Sequence, residues 1–228
     1  METKKGILYV VSTPIGNIED ITYRAVKILS EVDLILCEDT RKTKILLGHY
    51  NISTPLKSYY NYIEKKRIKE VIPYLQQGHK VALVSNAGTP AISDPGFLII
   101  KECIENNIKV VPIPGATAFI PAVVCSGLPL HKIFFVGFLP KKTGKIKKLF
   151  EEIKGLKETT VVFYESPHRI KKTLELLLTI LNPELPCVIA RELTKIYEEF
   201  IRGTIKEVYE KIFSGEPKGE FVVMIYLQ

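Results

Sequence analysis

Val81-Ala-Leu-Val-Ser85-Asn86-Ala87-Gly88-Thr89-Pro90-Ala91-Ile92-Ser93-Asp94-Pro95-Gly96 decides how this chain is read. Four apolar residues form a run suited to a buried strand, and a loop rich in Gly, Pro and Ser follows it. Asp94 has the side chain of a helix N-cap and Pro95 the fixed φ of a first helical residue, so a helix is expected from Asp94 to about Asn106. In an open α/β sheet, ligands lie beyond the carboxyl ends of strands, where such a loop sits. The stretch reads equally as an ordinary strand-to-helix connection and as a cofactor loop.

The same grammar repeats on both sides of it. Ile7 to Val11 is a continuous apolar run, Ser12-Thr13-Pro14-Ile15-Gly16-Asn17 is a loop, and a helix is expected from about Asp20 to Ser30, with Ile21, Ala25, Ile28, Leu29 and Val32 on one face. A second strand, Asp33 to Cys37, ends in Glu38-Asp39-Thr40-Arg41-Lys42-Thr43, where acids at a strand's carboxyl end suit either chemistry or helix capping. Tyr59, Tyr60 and Tyr62 precede a Lys/Glu helix ending near Gly78; such rings either stack on RNA bases or pack beneath the helix. Ile108 to Ile113 is a further strand running into Pro114-Gly115-Ala116-Thr117-Ala118, and an apolar helix then ends at Ser126-Gly127-Leu128-Pro129. The βαβ pattern breaks near Leu128 to Lys132, which places a boundary between an N-terminal α/β domain, 1–129, and a C-terminal one, 130–228.

Beyond that boundary come a strand over Ile133 to Phe138 and a segment with five lysines in eight residues, Lys141 to Lys148, suited to a solvated helix face or to a phosphate backbone. The strand Thr160 to Tyr164 ends in Glu165-Ser166-Pro167-His168-Arg169, and Cys187 to Ala190 ends in Arg191-Glu192-Leu193-Thr194-Lys195. A Gly203-centred segment, a short helix and the strand Phe221 to Leu227 close a domain of mixed-sheet character.

With 228 residues, 46% hydrophobic and 25% charged, the composition is that of a folded globular protein. A net charge of +7 and a pI near 9.1 point toward an anionic partner, nucleic acid first. Cys37, Cys103, Cys125 and Cys187 stand apart in apolar runs and read as buried reduced thiols of a cytoplasmic protein. The opening Met-Glu-Thr-Lys-Lys-Gly leads to only a short apolar segment, read as neither signal peptide nor membrane span. The P-loop and dinucleotide patterns, a G-x-S-x-G elbow and H-E-x-x-H are all missing, and the four histidines are scattered, with only His168 in a charged loop.

In chain order, Val11 to Asn17, Cys37 to Thr43, Ala87 to Gly96, Pro112 to Gly115, Ser126 to Pro129, Gly137 to Pro140, Phe163 to Arg169 and Arg191 to Lys195 resemble the motifs of the ribosomal RNA small subunit methyltransferase I family. This is a branch of the tetrapyrrole (corrin/porphyrin) methylase superfamily. The resemblance implies two α/β domains, the first with a mainly parallel and the second with a mixed sheet, and a cofactor cleft between them. It implies an S-adenosyl-L-methionine-dependent enzyme that methylates the ribose 2′-oxygen of a decoding-centre cytidine in 16S ribosomal RNA, acting on the small ribosomal subunit as a homodimer. By position, Pro14, Ile15, Gly16, Asn86, Gly88, Thr89, Pro90, Ile92, Asp94, Thr117, Ala118, Tyr164 and Glu165 would bind the cofactor, with no metal.

For the chemistry, Glu38, Asp39, Glu165 and Lys195 are the candidate proton acceptors, with Arg41 beside them in the catalytic set. Arg41, Lys42, His168, Arg169 and Arg191 are expected to hold the substrate's anionic groups. Two departures stand out: the family usually has Asp at Asn86 and Gly at Ala91, so a carboxylate role at position 86 does not carry over. Many members also run on past a strand like Phe221 to Leu227, so any RNA affinity or substrate docking contributed by that extension is expected to be absent here or supplied from elsewhere. The rivals are a methyltransferase acting on a corrin or porphyrin, a phosphohydrolase holding magnesium on Glu38, Asp39 and Asp94, and a non-catalytic RNA-binding assembly factor.

Overall fold

The computed structural model describes residues 5–228, so the reading of the opening Met-Glu-Thr-Lys lies outside it. The chain divides into two compact units, one ending at Thr117 and the other running Ala118–Gln228.

In the first unit, β1 (Ile7–Val11), α1 (Tyr23–Glu31), β2 (Leu34–Cys37), α2 (Thr40–His49), β3 (Leu56–Ser58), α3 (Glu64–Gln76), β4 (Lys80–Val84), α4 (Phe97–Glu105) and β5 (Lys109–Ile113) alternate strictly. All five strands are parallel in the order β3-β2-β4-β1-β5. Helices cover both faces. Ala25, Leu29, Val32 and Leu47 of the α1 and α2 side pack with Val11, Ile35, Ala82 and Val84. Val71, Leu75, Ile99 and Cys103 of α3 and α4 pack with Leu8, Leu36, Val81 and Leu83. Alternate residues of β4 thus serve opposite cores, which is why its sequence is an unbroken apolar run. The first helix begins at Tyr23 and not near Asp20, because the Thr22 hydroxyl accepts from the Ala25 N–H at 3.1 Å and a 3-10 turn, Ile18–Asp20, precedes it.

The second unit holds α5 (Phe119–Val124), β6 (Ile133–Phe138), α6 (Thr143–Ile153), β7 (Thr159–Glu165), α7 (Ile170–Ile180), β8 (Pro186–Arg191), β9 (Glu199–Thr204), α8 (Ile205–Phe213) and β10 (Phe221–Leu227). Its order is β6-β7-β10-β8-β9, with β6 and β7 parallel and the other pairs antiparallel, the mixed sheet expected. Val161, Phe163, Cys187, Ile189, Phe221, Val223 and Ile225 of the sheet form one core with the apolar sides of α6, α7 and α8. The opposite face of β7 and β10 receives α5, and this places α5, ahead of Pro129, with the second unit. Cys37, Cys103 and Cys187 are buried free thiols, but Cys125 is exposed, because α5 has ended at Val124 and turns it outward. Among the described residues, no helix is long and apolar enough to cross a membrane.

Candidate active site

β1 and β4 are neighbours whose onward connections leave over opposite faces of the sheet, the condition that opens a crevice beyond their carboxyl ends. Three loops meet there. The Thr13 N–H donates to the Gly88 carbonyl and the Gly88 N–H to that of Thr13, both at 2.9 Å. Buried Thr13 and Ser85 add hydroxyl bonds to the Ser85 carbonyl (3.1 Å) and the Gly88 carbonyl (3.0 Å). The Ser12 and Thr89 hydroxyls lie 2.9 Å apart, and Thr89 donates onward to the Ala116 carbonyl at 3.2 Å. Gly115 lets the third loop close, since a Cβ there would stand 3.0 Å from that of Ser12. Pro14, Ile15, Gly16, Gly88, Thr89, Pro90 and Thr117 therefore occupy loops tied into one edge of one sheet. Ser12, Thr13 and Ser85, which do the tying, were not among the expected site residues. Their signal is a small hydroxyl directly after a buried apolar run.

The loop after β4 corrects the expectation for Asp94. Ala91 and Ser93 take left-handed φ values of +68° and +65°, which keep the chain turning, so α4 starts only at Phe97 with Gly96 as its N-cap. Asp94 and Pro95 lie ahead of the helix, and the Asp94 carboxyl caps nothing. It is half-buried and accepts no hydrogen bond among the described residues. Desolvation first, and the charge of Glu38 second, push its pKa up to about 6. Glu38 follows Cys37, which pairs with Val84, so the two carboxylates come from the ends of adjacent strands. Asn86 and Ile92 are exposed on the same loop.

Asp39 serves the start of α2. Its Oδ1 accepts from the Arg41 N–H at 2.9 Å, and the Arg41 guanidinium grips both oxygens through Nε (3.1 Å) and Nη2 (2.9 Å). Those side-chain and backbone bonds from Arg41 hold its pKa down to about 2. Arg41 and Lys42 are exposed. Glu38, Asp39 and Asp94 do not converge: among the described residues no three His, Cys, Asp or Glu side chains gather to hold a metal ion.

In the second unit the motif residues hold one another. Glu165 is buried; its Oε1 accepts from the Ser166 N–H (2.8 Å), and its Oε2 from the Thr173 hydroxyl (2.7 Å), with Arg169 Nη2 at 3.4 Å. Arg169 also donates to the Leu139 (3.2 Å) and Pro140 (2.8 Å) carbonyls, fixing the entry to α6. Lys195 pairs with Glu192 at 2.9 Å and Glu220 at 3.2 Å. Burial works to lower its pKa, but those two carboxylates outweigh it and hold the ammonium above its ordinary value, so it is a cation and no proton acceptor. Arg191 lies 3.4 Å from Glu199 and lines a cavity of about 380 Å³ with Phe200, Arg202 and Lys211. Tyr164 packs between Phe135 and Phe138, Ala118 precedes α5, and His168 is exposed.

The profile of the tetrapyrrole (corrin/porphyrin) methylases matches residues 7–209. The chain is 48% identical over 221 residues, 97% of its length and 76% of the other's, to the ribosomal RNA small subunit methyltransferase I of Halalkalibacterium halodurans. It is 46% identical to that of Thermotoga maritima, covering 96% of this chain and 98% of that one. Among solved structures, a diphthine synthase superposes with a TM-score of 0.73 at 14% identity, covering 97% of this chain and 90% of that one. A uroporphyrin-III C-methyltransferase from Thermus thermophilus, complexed with S-adenosyl homocysteine, does so at 0.64 and 18%, covering 96% and 97%. At such identities the likeness shows the fold alone: two α/β units, the first with a parallel and the second with a mixed sheet. By profile and by full-length identity, the chain belongs to the tetrapyrrole methylase family and, within it, to the ribosomal RNA small subunit methyltransferase I branch.

Proposed function

We propose that the chain is an S-adenosylmethionine-dependent ribosomal RNA methyltransferase that modifies the ribose 2′-oxygen of a decoding-centre cytidine in 16S RNA. It acts in the cytoplasm, on the small ribosomal subunit, as a homodimer. The substrate class is supported by relatives of that name at 46–48% identity over nearly the whole chain. The geometric observation that carries the methyl-donor reading is Asp94, a half-buried carboxylate with no hydrogen-bond donor among the described residues, beside Glu38 at the open end of the sheet. Two like charges held there are stabilised by a cation, and the sulfonium and α-ammonium of the methyl donor are cations. The residues present therefore fit such a donor.

When bound, the donor supplies an electrophilic methyl group on sulfur. The chain's own contribution begins with position: Ser12, Thr13, Ser85 and Thr89 lock three loops together, so the floor of the site does not reorganise as a reaction proceeds. Asp94 offers its free carboxylate to the cationic donor. Glu38, half-buried on the adjacent strand end, takes the proton from the attacking ribose hydroxyl. Asp39 orients α2 and Arg41 rather than moving a proton, because a carboxylate with a pKa of about 2 is a poor base near neutrality.

Transfer of labelled methyl from S-adenosylmethionine to purified 30S subunits, naked 16S RNA and a porphyrin, each offered separately, tests the reading. Label on RNA that maps to a ribose 2′-position at a cytidine supports it. Label on the porphyrin alone, or on a base, overturns it.

A further inference from the structure

We propose that the lysine-bearing start of α6 is the surface that grips the phosphodiester backbone of the RNA substrate. The inference rests on the reading of the chain as an RNA methyltransferase and adds to it a docking surface outside the loops described above.

The charge is segregated first in the sequence. No acidic residue stands between Glu105 and Glu151, whereas seven lysines do: Lys109, Lys132, Lys141, Lys142, Lys145, Lys147 and Lys148. The last five are gathered by α6. Its Ile146, Phe150 and Ile153 are buried in the core, and that leaves Lys141, Lys142, Lys145, Lys147 and Lys148 exposed. Lys145 and Lys148 are three positions apart on α6 and share one stripe of its surface, while Lys141 and Lys142 lead into its first turn.

Four of these five cations, Lys141, Lys142, Lys145 and Lys147, have no ion-pair partner among the described residues, and the fifth, Lys148, has a weak one, a solvent-exposed contact to Glu152 at 3.9 Å. The three arginines of the unit and Lys195 differ from this run in being held by the chain itself. Arg169 is tied to Glu165, Arg191 to Glu199, Lys195 to Glu192 and Glu220, and Arg202 to the carbonyls of Cys125 and Ser126. Like charges crowded at the start of one helix repel each other, so a polyanion is what relieves them.

The surroundings suit a nucleic acid strand better than a single small anion. The first turn of α6 has no side-chain cap, and the space beside Gly144 is open, with no other atom within 4 Å of where a Cβ would stand. Phe138, 59% exposed at the end of β6, precedes the run by three positions and offers a ring on which a base can stack.

The test compares two triple variants of the full chain, K145Q/K147Q/K148Q on α6 and K27Q/K101Q/K206Q elsewhere, both confirmed folded by thermal melting. Gln is close to Lys in helix propensity, so charge is the main change. With 30S subunits as methyl acceptor, the α6 triple should raise KM by about tenfold near physiological salt. It should also flatten the slope of log affinity against log salt by about 2, with kcat and S-adenosylmethionine affinity unchanged. The control triple should alter KM by no more than about twofold. Equal loss in both triples, an unchanged salt slope, a fall in kcat with KM constant, or displacement of RNA by polyglutamate as effectively as by polyuridylate overturns the proposal. If the unaltered chain methylates no RNA, the functional reading itself fails, an outcome seen before any variant is made.

Discussion

The strand ends of the two units carry similar charged motifs and use them differently. Beyond β7 and β8, Glu165 is fully engaged by Ser166, Thr173 and Arg169, and Lys195 by Glu192 and Glu220. Beyond β2 and β4, Asp94 accepts no hydrogen bond among the described residues, and burial first and the charge of Glu38 second raise its pKa. The two regions would look alike in a list of motif residues. The difference teaches that a charged motif does structural work where its members complete one another, and retains chemistry where a desolvated member is left without a partner.

The largest expected effect tests that division at its active side. Glu38→Gln should lower kcat for methyl transfer by about 10²- to 10⁴-fold, the usual contribution of a positioned proton acceptor, with donor affinity within a few-fold of the unaltered chain. Asp39→Asn keeps an oxygen that can cap α2 and should leave kcat within about threefold. Single-turnover rates and donor binding by calorimetry measure both. If Asp39→Asn is the more damaging of the two, the roles assigned to the neighbouring acids are exchanged.

On the structural side, Glu165→Ala leaves the Ser166 N–H, the Thr173 hydroxyl and part of the Arg169 guanidinium without their acceptor. Removing one member of such a buried set costs about 3–5 kcal/mol, read as a shift of the urea midpoint. Activity per folded molecule should be nearly preserved. A variant of normal stability that has lost donor binding would show that Glu165 belongs with Asp94 after all.

The third effect has two signs. Asp94→Asn should weaken the donor by about tenfold or more, because a charge-assisted contact is lost, yet leave the fold as stable or more so at neutral pH. The folded pKa, about 6, lies above the ordinary 3.8, so the folded chain binds this proton more tightly than the unfolded one. The stability it contributes is fully present below pH 3.8 and is lost as pH rises through about 6. Relative to the Asn variant, the unaltered chain should therefore gain stability as pH is lowered from 7 to 4. Donor affinity should move the other way, falling below about pH 6 as the carboxylate is neutralised. Parallel pH titrations of melting temperature and donor affinity check the opposition; two curves of the same sign would remove Asp94 from the cofactor site.

Much of this fold was legible because its strands advertise themselves. Ile7–Val11 and Phe221–Leu227 were read directly, since burial on both faces makes an unbroken apolar run, and Ile133–Phe138, although at a sheet edge and half-exposed, was read because its residues are apolar all the same. The two strands that escaped were β3 and β9, both at sheet edges, where half-exposed residues such as Lys57 and Glu199 break the pattern. At the site, the loops were legible from their Gly, Pro and Ser content. The pairing of side chains was not, because Glu165 with Thr173 or Lys195 with Glu220 is a matter of tertiary distance. Asp94 was misread for a subtler reason: local preference favours a cap, and left-handed turns at Ala91 and Ser93 moved the helix start past it.

Ala91 carries the smallest effect and sharpens the comparison within the β4–α4 loop itself. A left-handed conformation costs a residue with a Cβ about 1–2 kcal/mol, while Gly loses about 0.5–1 kcal/mol more than Ala through the freedom of the unfolded chain. The balance favours Ala91→Gly by about 0.5 kcal/mol. The methyl group reduces that gain, since it sits over Gly96, where an added Cβ would come within 3.2 Å of it. Gly96→Ala is the opposing arm: at φ +147°, with Leu83 and Ala91 both crowding the new carbon, it should destabilise clearly. Denaturation midpoints of the two variants should thus move in opposite directions around one loop. If Ala91→Gly lowers the midpoint instead, the methyl contact outweighs the backbone strain, and the β4–α4 loop that leaves Asp94 unpaired is held by packing on Gly96 rather than strained into place.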